Sequence, residues 1–155
     1  MEILIKNQQK IIKINQRKIR EIVKKVLQHL RIDEKTEVSI LFTDDKFIRS
    51  LNSKYRGIDK PTDVLSFSLQ EGIVKSPEVE SDKLLGDIII SAETAQKQAD
   101  ILNHSIEKEL AVLLIHGLLH LTGYDHEKDK NYKIMREKES EILKIFALQF
   151  HVLYN

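Results

Sequence analysis

His116, His120 and His126 are the residues of this chain whose types and spacing most directly offer chemistry. They lie in the stretch I-H-G-L-L-H-L-T-G-Y-D-H, from Ile115 to His126. On a helix His116 and His120 stand one turn apart on one face, their Cβ atoms about 5–6 Å from each other. Two imidazoles so placed can converge on one ion at about 2.0–2.1 Å each. Gly123 lets the chain turn sharply, so that His126 can return to the same point from outside the helix. Three nitrogen ligands leave one tetrahedral position open, the arrangement of a catalytic zinc site; structural zinc is usually closed by four protein ligands. The expected cofactor is therefore one Zn2+ ion, with another divalent transition metal as the alternative, held by His116, His120 and His126.

Histidines at +4 and +10 with glycine at +7 match the metzincin peptidase pattern H-E-x-x-H-x-x-G-x-x-H. Where that pattern places its catalytic glutamate, this chain has Gly117. A peptidase would need a carboxylate from elsewhere, and the spacing offers none. The general base stays unassigned. Asp125 and Tyr124 are read either as support for a ligating imidazole or as ordinary turn residues.

The elements that must position these groups follow from periodicity. Leu110 to Leu121 is apolar on nearly all sides, so this helix, capped by Ser105 and stopped at Gly123, is expected in the middle of the protein. Glu107 and Glu109 suit its positive end. Asn15 is the expected cap of a helix with Ile19, Ile22, Val23, Val26, Leu27 and Leu30 on its inner face. Thr43 or Asp44 caps another, with Phe47, Ile48 and Leu51 inward, and Ser91 caps one that runs to about Leu102. Strands are expected at Val38–Phe42, Val64–Phe67 and Gly86–Ile90, and the run Ile11–Ile14 is a further candidate or the end of one. Gln70 to Lys83 reads as a surface loop. A last helix runs from about Lys130 to Phe150, with Ile134, Ile142, Ile145 and Phe146 as core contacts. The expected fold is α/β: one domain over residues 1–155, a small mixed four-stranded sheet and about five helices, the central apolar helix carrying the metal ligands. Strand order is not legible.

The totals set bounds on function. At 155 residues, with 41% hydrophobic and 32% charged side chains, the chain reads as a single soluble domain. It has no cysteine, which excludes disulfides and thiolate zinc sites. The opening Ile3-Leu4-Ile5 is too short for a secretion signal or a membrane span, so the expected location is the cytoplasm and no membrane partner is expected. Residues 1–31 hold nine Lys and Arg against Glu2 and Glu21, a balance of +7, while the other 124 residues hold 16 basic and 22 acidic side chains, a balance of −6. Such asymmetry suits contact between the first segment and a polyanion, or simply a solvated helix face.

H-G-L-L-H-L-T-G-Y-D-H resembles the signature of the YbeY family of bacterial metal-dependent endoribonucleases. A second region, L-N-S-K-Y-R-G-I-D-K-P-T-D-V-L-S-F from Leu51 to Phe67, is similar to the family's other hallmark, and G-D-I-I-I-S from Gly86 to the strand before its helical half. The resemblance covers roughly residues 35–126. It implies cleavage of single-stranded RNA, a role in maturing the 3′ end of small-subunit ribosomal RNA and in ribosome quality control, and partners that are ribosomal RNA or ribosomal subunits. It also implies that Arg56 lies near the metal and, with His116, serves catalysis. Physically, a guanidinium offers planar paired donors to a phosphate and steadies charge that develops during phosphodiester cleavage. Thr62 and Asp63 either orient that loop or do simple turn work. Ser68 departs from the family, where many relatives have proline. Two other readings stay open: a zinc hydrolase of another substrate, peptides included, and a non-catalytic ribosome-assembly factor whose metal fixes the fold.

Overall fold

The computed structural model describes residues 1–69, 84–124 and 129–154, with backbone alone at residue 129 and from 147 to 154. In chain order the elements are β1 (Glu2–Asn7), α1 (Gln16–His29), β2 (Glu37–Thr43), α2 (Asp45–Arg56), β3 (Val64–Ser68), β4 (Leu84–Ser91), α3 (Ala92–Leu102), α4 (Ile106–Leu121) and α5 (Asp129–Tyr154). The sheet runs β1-β2-β4-β3, parallel except for the antiparallel β3–β4 pair. The α/β architecture with a mixed four-stranded sheet and five helices among the described residues is the expected one. Among those residues no helix is long and apolar enough to cross a membrane.

Alternation divides the sheet into two faces. Val38, Ile40 and Phe42 of β2, with Ile88 and Ile90 of β4, join the main core together with α1, α4 and α5. Leu65 and Ile89 point the other way and close a smaller core under Ile48 of α2. Helix α4 packs against β3, β4, α1, α3 and α5, and Leu114, Leu118 and Leu119 are fully buried. An all-apolar helix reaches this position because each of its faces has a neighbour to bury against.

The caps settle the helix starts. Asn15, Asp44, Ser91 and Ser105 accept the amides of Lys18, Phe47, Thr94 and Lys108. Three expectations are corrected. Ile11–Ile14 is not a strand; the Gln9 side chain accepts the Ile11 and Ile12 amides and folds this stretch into a loop. The N-terminal strand is instead the more modest run Glu2–Asn7, recruited by parallel pairing with β2. Phe47 is 40% exposed, and α2 buries Ile48 instead. On α5, Ile134 and Ile145 are exposed, and the buried stripe is Met135, Ile142 and Phe146. The expected loop Gln70–Lys83 lies outside the described residues.

One polar cluster fixes α2, and with it Arg56 at the other end of that helix. Asp45 Oδ1 accepts the hydroxyls of Ser91 (2.5 Å) and Thr94 (2.6 Å), and Lys97 Nζ stands 3.4 Å from Oδ2. In return the Asp45 amide donates to Glu93 Oε1 at 3.1 Å. Burial alone would raise the Asp45 pKa, but the Ser91, Thr94 and Lys97 hydrogen bonds, with the Lys97 charge, outweigh it and hold the carboxyl below its usual range. Asp45→Ala should cost about 2–3 kcal/mol, chiefly because Ser91, fully buried, loses its acceptor. Because the folded pKa is depressed, the ionic share is complete above the unfolded aspartate value of about 3.9 and is lost as pH falls through the lower folded value. Urea unfolding of both proteins checks this: the gap should be full at pH 6 and narrow toward pH 3.

Candidate metal centre

His116 and His120 lie in the last two turns of α4, where the sequence places them. Their Nε2 atoms are 3.1 Å apart, and the rings meet at 73° with centroids 4.6 Å apart. Two nitrogens each about 2.05 Å from one ion at a tetrahedral angle would be ~3.3 Å apart. The pair therefore fits two adjacent corners of a zinc tetrahedron, both rings offering Nε2. His126, the expected third ligand, and Asp125 lie outside the described residues, and among the described residues no cluster of three or more potential ligands occurs.

The other nitrogen of His116 has a partner that the sequence reading did not anticipate. Nδ1 lies 2.8 Å from Oε1 of Glu139, 23 residues away on α5. Neither group is fully solvated: the His116 side chain is 32% exposed and that of Glu139 26%. A signal was present in the spacing. Glu139 sits four residues after Met135 and three before Ile142, on the stripe by which α5 enters the core. A carboxylate on such a stripe requires a partner inside.

Gly117 is explained by packing. A Cβ there would sit 3.1 Å from both Cδ1 and Cγ2 of Ile88 and 3.1 Å from Ser66 Oγ. The residue after the first histidine thus faces the sheet, and its lack of a side chain lets α4 lie close on β3 and β4. The space that the base of the peptidase pattern would need is filled here by Ile88 of β4 and Ser66 of β3. At the end of α4, Gly123 at φ +102 completes a Schellman turn: its amide donates to His120 O (3.2 Å) and the Tyr124 amide to Leu119 O (3.0 Å). Tyr124 packs partly against the main core.

Arg56 ends α2 and is exposed. Its Nη2 donates to Ser66 O at 2.9 Å, and its guanidinium lies 5.2 Å from the Phe67 ring centroid. The Ser66 hydroxyl in turn donates to the carbonyl of Gly117, at 3.4 Å, so a short chain of contacts links Arg56 to the residue beside His116. The loop between is folded by its own side chains. Asn52 donates to Lys60 O, and Arg49 grips Asp59 with two hydrogen bonds of 2.9 and 3.2 Å. Asp63 accepts the Val64 amide and, at 3.4 Å, the Thr62 hydroxyl. These contacts fold the loop back so that Arg56, at the end of α2, meets β3.

Comparison with known proteins gives this geometry a family. The model of the family described as endoribonuclease YbeY matches residues 4–147. Curated proteins named endoribonuclease YbeY are similar along most of their length: that of Desulforamulus reducens is 46% identical over 146 residues, covering 92% of this chain and 95% of the relative. That of Clostridioides difficile is 41% identical over 146 residues, with the same coverage of both chains. The solution structure of TM1509 from Thermotoga maritima superposes with a TM-score of 0.59 at 32% identity, covering 95% of this chain and 91% of that one. An α4 histidine pair, a hallmark loop ending on β3 and similarity across nearly the whole chain agree: the chain belongs to the endoribonuclease YbeY family.

Proposed function

We propose that this chain is a zinc-dependent endoribonuclease of the cytoplasm that cleaves single-stranded RNA, with ribosomal RNA or ribosomal subunits as its partners and the 3′ end of small-subunit RNA as its target. The observation that carries the metal part is the 3.1 Å approach of two Nε2 atoms from one helix face. The relatives' name supports the substrate class. His116, His120 and His126 would hold the ion, which would polarise a phosphate oxygen or make water more acidic. Arg56 has five N–H donors, of which the Ser66 bond uses one, and presents a planar charge to the phosphate. The basic side of α1 supports RNA collection: Lys18, Arg20, Lys24 and Lys25 are exposed, while Ile19, Val23, Val26 and Leu27 are buried.

The test sets single-stranded RNA, duplex RNA and an unfolded protein before the zinc-loaded enzyme. Cleavage of the single strand alone is expected, and Arg56→Ala should lower kcat/KM about 10²-fold while the metal content stays unchanged. Cleavage of the protein instead would favour a peptidase. RNA binding without cleavage would favour an assembly factor.

A further inference from the structure

We infer that Glu139 is a positioning residue of the metal centre. It holds the Nδ1 hydrogen of His116, and so fixes the tautomer and the ring plane that aim Nε2 at the ion. The inference rests on the reading of His116 as a ligand.

Three observations converge on it. The Nδ1–Oε1 distance is 2.8 Å, a full hydrogen bond, and a carboxylate can only accept in it. The hydrogen therefore belongs to Nδ1, which leaves the Nε2 lone pair directed toward His120 Nε2. Finally, the carboxylate is carried inward: Met135 (1% exposed), Ile142 (0%) and Phe146 (1%) pin the same face of α5 to the core, so Glu139 cannot easily swing away. Arg136 gives its hydrogen bond to the Tyr132 hydroxyl, at 2.8 Å, and acts on Glu139 through charge alone, so the carboxylate's hydrogen bond goes to the imidazole. A carboxylate behind a ligating imidazole raises its basicity and orients it, and loss of such a partner typically weakens metal binding 10- to 100-fold. It also explains why a helix distant in sequence belongs to the site: α5 supplies the part of the centre that α4 cannot reach.

A purely mechanical clamp between α4 and α5 is the competing role, and the experiment separates the two. Full-length protein is prepared as the zinc-loaded wild type, as Glu139→Gln, which keeps an acceptor oxygen, and as Glu139→Met, which fills similar volume without one. Zinc affinity is measured by competition with a chelator, and the Nδ1–H of His116 is followed by 1H–15N correlation of the ring nitrogens. Glu139→Met should weaken zinc binding 10- to 100-fold and lose the protected Nδ1–H signal, while Glu139→Gln keeps the signal and loses less than about tenfold. Unchanged affinity and signal in a folded Glu139→Met protein would overturn the inference, even if its Tm fell. If the wild type itself binds no zinc, the metal reading fails and the inference with it. If the wild type binds and Glu139→Met binds equally, the inference alone fails.

Discussion

Gly117→Glu, which would recreate the peptidase motif H-E-x-x-H, is expected to damage the fold rather than add an activity. A Cβ at 117 already meets two Ile88 carbons and the Ser66 hydroxyl at 3.1 Å, tighter than ordinary contact. The rest of the glutamate side chain would have to displace β4 or push α4 off the sheet. Overpacking of this kind costs about 1–3 kcal/mol, and burying a carboxylate without a partner adds several more. A loss of about 4–6 kcal/mol is expected, which for a chain of this size lowers Tm by more than ~10 °C. Gly117→Ala is the graded control. Its helix propensity gain of about 1 kcal/mol offsets part of the strain, so its Tm should move by only a few degrees. A Gly117→Glu protein that melts with the wild type would mean that position 117 is not packed on the sheet. It would also restore position 117 as a place for the glutamate of the peptidase motif.

The same contact shows why some of the protein was legible in its sequence and some was not. Helix α4 was legible because its signals are local: a serine cap, two acids in the first turn, an unbroken apolar run and a glycine beyond the last turn. The histidine pair follows from helix geometry alone. Glu139 was not legible as a site residue, because its meaning depends on which face of α5 meets α4. Ile134 and Ile145 looked like better anchors than Met135 until the packing chose a stripe. In the same way Ile11–Ile14 has the composition of a strand, yet Glu2–Asn7 takes the edge of the sheet, since β2 offers that stretch a parallel ladder and Gln9 turns the following residues away. Arg56 could be singled out for its chemistry, but its bond to Ser66 O and its place over Phe67 arise only when the loop folds back. Gly117 was visible as a missing base. Its positive role, to admit Ile88 and Ser66, is a property of the sheet.

His120→Ala and His116→Ala should both abolish zinc binding at the proposed centre, yet differ in what they do to the fold. Each removes one of two converging Nε2 donors, so zinc content should fall from about one equivalent to a small fraction. RNA cleavage should drop about 10³-fold or more, the several kcal/mol that a bound metal contributes to the transition state. Treating the wild type with chelator should produce the same loss, and both comparisons need metal analysis alongside the RNA assay. Stability then separates the variants. In chelator, where no protein gains from bound metal, His120→Ala should melt within a few degrees of the wild type. His116→Ala also strips Glu139 of its partner, and leaves a carboxylate only 26% exposed on the core-facing side of α5. That unmet acceptor should cost a further 1–3 kcal/mol or so, a Tm lower by several degrees. Equal melting of the two variants in chelator would mean that the His116–Glu139 bond does not hold α5 against α4. Retention of zinc by both would mean that the convergence of the two rings on α4 is not a metal site at all.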